Sequence, residues 1–416
     1  MARFVGISAG MARLCVGLSV FVSFMSASAA AQSQAPGSLT LQAATERAFA
    51  ANPTIAAARQ GREVSVAGRA VAAEWLNPEA TVEIAKETPK QAYGIAVPLE
   101  LGGKRSKRIA VSDATIRASE AELAATMAQV RNDVRRAYFD LLIANARLTV
   151  LREQRDLSQR VRDTAQTRFE NGDVPRLEVL QTELALNAAQ NEATSAEGVV
   201  VAATASFNAL LGLPLDMTHQ LSTAIDAGGP TVTNAVLELA RRESTELAVL
   251  DRRLEEQRAR LTLAHALRAP DLIPTATLTH DAEPEFTWGW RGGFAITLPL
   301  FTTHKAGVAV EEATLAQITL QRQATQLRIE GAVSAAAVTA EAHRLAYVRY
   351  RDVILPQAQE VEQLAQDAYS LGQTGIAALL QALQSSRDVR LRSLDAVSQF
   401  QTALADLERA IGAPLP

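Results

Sequence analysis

The chain has 416 residues, 48% hydrophobic and 21% charged, which excludes wholesale disorder. A formal net charge of −4 supplies no basic surplus for a nucleic-acid partner, and the single cysteine, Cys15, excludes disulfides and Cys-rich metal centres. Only 22 Gly and 15 Pro stand against abundant Ala, Leu, Gln, Glu and Arg, so the expected class is mainly α with a small β part.

Residues 1–31 read as a secretory signal peptide. Arg3 and Arg13 give a basic start, Leu14 to Phe24 an apolar run, and Ser26 to Ala31 small residues for cleavage after Ala29 or Ala31. An uncleaved anchor is the alternative, but the run is short for a span of ~20 residues. The remainder divides into a first repeat over 32–215, a linker over 216–230 and a second repeat over 231–416. Phe169-Glu170-Asn171-Gly172 matches Tyr369-Ser370-Leu371-Gly372, Leu180-Gln181 matches Leu380-Gln381, and Leu211-Gly212-Leu213-Pro214 matches Ile411-Gly412-Ala413-Pro414, each 200 residues on.

In the first repeat, helices are expected over Leu39–Ala51 and Thr54–Trp75, broken at Asn52-Pro53. Strands follow over Glu79–Glu87 and Ala92–Leu101. Lys104–Glu170 then runs 67 residues without Gly or Pro, about 100 Å of helix at ~1.5 Å per residue. Its residues Leu123, Met127, Val130, Val134, Ala137, Leu141, Ala144, Leu148 and Leu151 step by four and three, a coiled-coil seam. Gly198–Leu215 is free of charge yet holds Thr204, Ser206 and Asn208, so a packed helix is expected there, not a membrane span. The second repeat offers strands over Ile273–His280 and Thr287–Leu300, a long helix that Pro356 should kink or break, and a helix over Ile376–Ile411 with its own seam, Val397, Phe400, Leu404, Leu407 and Ile411.

The strands alternate. Trp288, Trp290, Phe294, Ile296 and Leu298 share one face, and Gly289, Arg291, Gly293 and Thr297 the other. Tyr93, Ile95, Val97 and Leu99 oppose Gly94, Ala96 and Glu100. Such strands fit either a lipid-facing barrel or two hairpins capping a soluble helical domain. Four strands cannot close a membrane barrel, and open edges cannot sit in hydrocarbon. An inserted form therefore needs several copies, and twelve strands from three chains is the simplest cyclic count.

The leader, the doubled helix–hairpin–long-helix plan and the two matched turns resemble the TolC-type outer membrane efflux family over nearly the whole mature chain. Pro98-Leu99-Glu100-Leu101-Gly102-Gly103-Lys104-Arg105 and Phe207-Asn208-Ala209-Leu210-Leu211-Gly212-Leu213-Pro214 are similar to its CzcC/CusC heavy-metal branch. The resemblance implies an all-α coiled-coil barrel across the periplasm joined to a twelve-stranded barrel in the outer membrane. It implies a homotrimer working with a periplasmic adaptor (membrane fusion) protein and an inner-membrane resistance–nodulation–division pump, with no cofactor and no catalysis. The cargo class stays open between metals, drugs and type I secretion substrates. A soluble periplasmic adaptor is the rival reading, and a hydrolase has no supporting motif. The five histidines are scattered without ligand spacing, so no metal site is expected.

Three candidate sites follow. Lys104, Arg105, Lys107 and Arg108, with Trp288 and Trp290, are expected at the membrane interface, the cations touching lipid phosphates. The turns at Gly172, Val174 and Pro175 and at Gly372 and Gly375 are expected, by resemblance, to meet the adaptor, with Gly172 and Gly372 left-handed and Pro175 as first helical residue. The periplasmic gate is expected to use Asp173, Glu178, Gln181, Gln373 and Gln381. The TolC pattern carries two aspartates where this chain has Ala378 and Gln381. Glu178 thus becomes the candidate for a ring of three carboxylates, unless it points to solvent or pairs with Arg176 or another neighbour.

Overall fold

The computed structural model describes residues 38–222, 235–282, 284 and 286–414. The expected signal peptide and the Gly-rich centre of the expected linker lie outside them. The described chain opens with α1 (Leu41–Ala51) and α2 (Pro53–Ala72), then β1 (Glu79–Ile84), β2 (Gln91–Ala96), α3 (Lys104–Glu170) and α4 (Arg176–Leu211). The plan then repeats as α5 (Ala235–Glu243), α6 (Thr245–Ala266), β3 (Asp271–Ala282), β4 (Phe286–Thr297), α7 (Lys305–Arg349), α8 (Leu355–Ser370) and α9 (Ile376–Ile411).

Local chemistry sets the boundaries. Thr40 caps α1 by accepting from the Ala43 N–H at 3.1 Å, so the helix starts two residues later than the apolar pattern suggests. Asn52 caps α2 through Thr54 N–H at 2.8 Å, with Pro53 in the first turn. Helix α2 ends at Ala72, short of Trp75. Strand β2 stops at Ala96: Val97 N–H still donates to Pro274 O at 3.0 Å, but Pro274 has no N–H to return, and Leu99 then bridges to Leu272. Strand β3 is longer than expected at both ends and β4 ends before Pro299.

Helices α3 and α9 have the expected bounds, 67 and 36 residues. The α3 seam packs inward: Val130, Val134, Leu141, Ala144, Leu148 and Leu151 are buried, Leu123, Met127 and Ala137 pack against the cluster of Val130, Val134 and Leu141, and Leu148 and Leu151 join Ala193 and Ala196 in a second cluster. All five residues of the α9 seam are buried. The core centres on Tyr138, whose ring meets Phe139 and Phe207 edge-on at 5.7 and 6.0 Å and whose hydroxyl donates to Leu39 O at 2.9 Å. The charge-free stretch ends α4 here, with Phe207 and Leu211 buried in that core.

Pro356 does break regularity, but as a π-turn. Residues Tyr350–Ile354 join α7 to α8, and Leu355 N–H reaches five residues back to Tyr350 O. A proline cannot donate to the fourth carbonyl before it, and a widened turn accommodates the missing bond without ending the helix.

Candidate functional site

The four strands form one antiparallel sheet in the order β1-β2-β3-β4. Val82, Tyr93, Leu278 and Trp290 lie opposite one another across it, and Ile84, Gln91, His280 and Trp288 form the next row on that face. Phe294 and Ile296 extend the face along β4. The other face carries Thr81, Gly94, Thr277 and Arg291 in one row and Glu83, Ala92, Thr279 and Gly289 in another. Gly94 is needed there, because a Cβ would sit 2.4 Å from Thr81 Oγ1. The apolar face is uncovered: Ile84 is 83% exposed, Trp290 85% and Phe294 71%. A half-buried hairpin capping a soluble domain would turn that face to its own helices. The twelve residues of β3 and of β4 reach about 40 Å at ~3.3 Å per residue, enough to cross a bilayer when tilted. Trp288 packs against His280 with ring centroids 4.2 Å apart and the planes tilted by 53°.

The basic cluster is not four free cations facing lipid. Lys104 is only 6% exposed and pairs with Asp271 at 2.8 Å, tying the start of α3 to the start of β3. Arg105 donates to Ala73 O at 2.8 Å and lies over the Trp75 ring at 4.4 Å. Arg108 pairs with Glu100 and donates to Glu74 O at 3.2 Å. These three form a clamp at the strand-to-helix junction. A desolvated ammonium is held by its carboxylate, not by lipid. Lys107, half-buried on the helix surface, makes no comparable tie among the described residues.

The turns between the long helices follow one design. Gly172 (φ 83°) and Gly372 (φ 70°) are left-handed. Gly172 N–H donates to Phe169 O and Asp173 N–H to Arg168 O, at 2.9 and 2.8 Å; Gly372 and Gln373 make the same two bonds to Tyr369 O and Ala368 O, at 3.0 and 2.8 Å. Both are Schellman closures. Pro175 is the N-cap residue of α4, not its first helical one, because its ψ of 155° is extended; Gly375 holds the same place before α9.

Beside these turns the structure brings together residues from both repeats. Tyr369 is 4% exposed and packs with Leu157, Val161, Ile376, Leu379 and Leu383. Arg168 lies over its ring at 5.2 Å. Glu178 is half-buried, and its Oε2, like the Tyr369 hydroxyl, has no hydrogen-bond partner of normal geometry. Burial pushes the Tyr369 phenol up, and the nearby Glu178 carboxylate adds to the shift. Glu178 therefore turns toward Tyr369, which is the alternative of a neighbour other than Arg176. Asp173, Gln373 and Gln381 are exposed and Gln181 is half-buried. Tyr369 was legible as the partner of Phe169 in the repeat; its hydroxyl and Arg168 were not.

Residues 44–213 match the family described as Outer membrane efflux protein. The cobalt-zinc-cadmium resistance protein CzcC of Cupriavidus metallidurans is 24% identical over 420 residues, covering 97% of this chain and all of CzcC. The Campylobacter jejuni CmeC outer membrane channel superposes with a TM-score of 0.74 at 16% identity, over 89% of this chain and 85% of CmeC. CusC, described for its transmembrane channel formation, gives 0.73 at 15% identity, over 90% and 92%. Over residues 44–213 the chain matches the outer membrane efflux protein family, along nearly its whole length it is similar to CzcC, and its fold is that of the CmeC and CusC outer membrane channels.

Proposed function

We propose that three copies of this chain form the exit duct of a tripartite efflux system, receiving heavy-metal cations from an inner-membrane resistance–nodulation–division pump through a periplasmic adaptor. The sheet carries this reading. It has a bare apolar face and two outer strands, β1 and β4, with unpaired edges among the described residues. Hydrocarbon tolerates the face but not the edges. Joining β4 of one copy to β1 of the next removes every edge, and three copies give twelve strands. Helices α3 and α4, and α7 to α9, then prolong the wall into the periplasm. Leu177, Leu180 and Leu184 on α4 and Val361 and Leu364 on α8 are exposed, which suits helix packing against a neighbour.

The turns at Gly172 and Gly372 lie at the inner mouth and meet the adaptor. Glu178 against Tyr369 holds that mouth narrow. Lys107 is the cation of the basic cluster left to reach the membrane interface. Cargo follows from the similarity to CzcC, a metal-resistance protein.

The test has two arms. Detergent extraction of the outer membrane should give a trimer; a monodisperse monomer that leaves the membrane in a high-salt wash would favour a soluble adaptor instead. Deleting the gene should sensitise cells to cobalt, zinc or cadmium. Sensitivity confined to dyes and antibiotics would move the reading to drug efflux.

A further inference from the structure

The polar face of the sheet carries charges of opposite sign on its two open edges. On β4, Arg291 stands between Gly289 and Gly293, and across from it β3 offers Thr275, Thr277 and Thr279. Arg291 is exposed, and among the described residues no acid pairs with it. On β1 the same face presents Glu79, Thr81 and Glu83, while the facing positions of β2 are Ala96, Gly94 and Ala92. Both glutamates are exposed, and no cation of the sheet's polar face stands beside them.

We propose that Arg291 of one copy pairs with Glu79 or Glu83 of the next copy, inside the duct, and so fixes how β4 meets β1. The proposal rests on the trimeric reading above. Strand pairing limits the choices, because residues opposite one another share a face and a slip of one residue would turn the apolar set inward. Arg291 can therefore stand opposite Glu79, Thr81 or Glu83, not opposite Ala80 or Val82. Opposite either glutamate it pairs directly. Opposite Thr81 it has both glutamates as diagonal neighbours, about 7–8 Å away between backbones and within reach of a long side chain. Each of these registers gives an ion pair. One carboxylate per seam is left over, so the lumen at this height is net negative, and acidic rings favour cations.

The test uses the full chain with Cys15→Ser. Arg291→Cys combined in turn with Glu79→Cys, Thr81→Cys or Glu83→Cys should give a covalent trimer on oxidation for one of the three. Combination with Ala80→Cys or Val82→Cys should not. Arg291→Glu should lower the temperature at which the trimer dissociates in SDS, Arg291→Gln less so. Adding Glu79→Arg and Glu83→Arg to Arg291→Glu should recover at least half of the loss. Retained β signal in circular dichroism separates a weakened seam from misfolding. Cross-linking through positions 80 or 82, or undiminished heat resistance of the Arg291→Glu trimer, would overturn the pair and leave the trimer standing. A wild-type protein that is monomeric in detergent would instead remove the trimeric reading, and the pair with it.

Discussion

Two pairs of glycines, each repeated 200 residues on, end the long helices, and they sit in opposite surroundings. Gly172 and Gly372 close α3 and α8 in open space: an added Cβ at Gly172 would meet nothing within 4 Å, and at Gly372 only the Arg168 Nη2 atom at 4.0 Å. Gly212 and Gly412 close α4 and α9 against backbone. A Cβ at Gly212 would lie 3.0 Å from Ala51 O, and at Gly412 2.8 Å from Thr245 N and 2.9 Å from Glu243 O. All four are left-handed. The difference separates two jobs. The second pair wedges the ends of α4 and α9 into the α1–α2 and α5–α6 junctions, a joint that fixes the base of each repeat. The first pair needs only a conformation, and leaves its surface for something outside the chain.

The largest expected effect breaks this contrast at its stiff end. Gly412→Ala adds a backbone clash to left-handed strain and should cost about 3 kcal/mol or more, with Gly212→Ala close behind. Gly172→Ala and Gly372→Ala carry the strain alone and should cost about 1–2 kcal/mol each. Thermal unfolding followed by circular dichroism ranks the four. Equal losses in both pairs would dissolve the distinction. A bulky residue at Gly172 or Gly372 should go further in one respect: it should weaken adaptor cross-linking while trimers persist. Loss of the trimer would mean that these turns act through folding only.

A second contrast lies in the long helices themselves. Helix α3 is uninterrupted, while its counterpart passes through the π-turn ahead of Pro356. Pro356→Ala restores the missing donor, so the ladder can close as ordinary α-helix. The expected gain is about 1 kcal/mol or less, with slower hydrogen exchange at residues 350–356. Unchanged exchange there would show that packing, not the proline, sets the π-turn.

The sequence made the two long helices legible to the residue, because Lys104–Glu170 and Ile376–Ile411 lack breakers and are bounded by glycines. The alternation of the strands was legible too, since Trp288 to Leu298 can be sorted by parity alone. Strand ends were less so: β2 stops where Pro274 of β3 cannot return the bond of Val97, yet the apolar pattern runs on to Leu101. The sites fared worst, for a physical reason. Lys104 meets Asp271 across 167 residues of sequence, and Glu178 meets Tyr369 from the other repeat. A run of four cations at a helix start reads as a solvated patch until the partners from the segments after α2 and β2 and from the start of β3 are in place. Residue type marked these positions as charged; only tertiary packing decided which charges are neutralised.

The smallest expected effect sharpens the comparison between the two bases. After Gly212 the chain is locked to α4 by Asn208, whose Nδ2 donates to Met217 O at 2.7 Å and Leu215 O at 3.2 Å. Its Oδ1 is then left to accept from His219 Nε2 at 2.6 Å, and the His219 ring meets Phe207 edge-on at 5.7 Å. The matching position in the second repeat is Glu408, paired with Arg135 at 2.7 Å. One base thus hangs on a neutral histidine and the other on an ion pair. Burial, and then the charge of Arg47, hold His219 below its ordinary value of 6.5. The unfolded chain therefore takes up this proton more readily than the folded one. Stability from His219 is complete above pH 6.5 and falls as pH drops below it toward the lowered folded value. Thermal midpoints measured from pH 7.5 down to 5 should decline with a shallow slope, and His219→Gln, which keeps a donor for Asn208 without titrating, should flatten that slope while leaving the pH 7.5 midpoint nearly unchanged. An identical slope in wild type and His219→Gln would place the acid sensitivity elsewhere and leave the two bases equivalent in their response to pH.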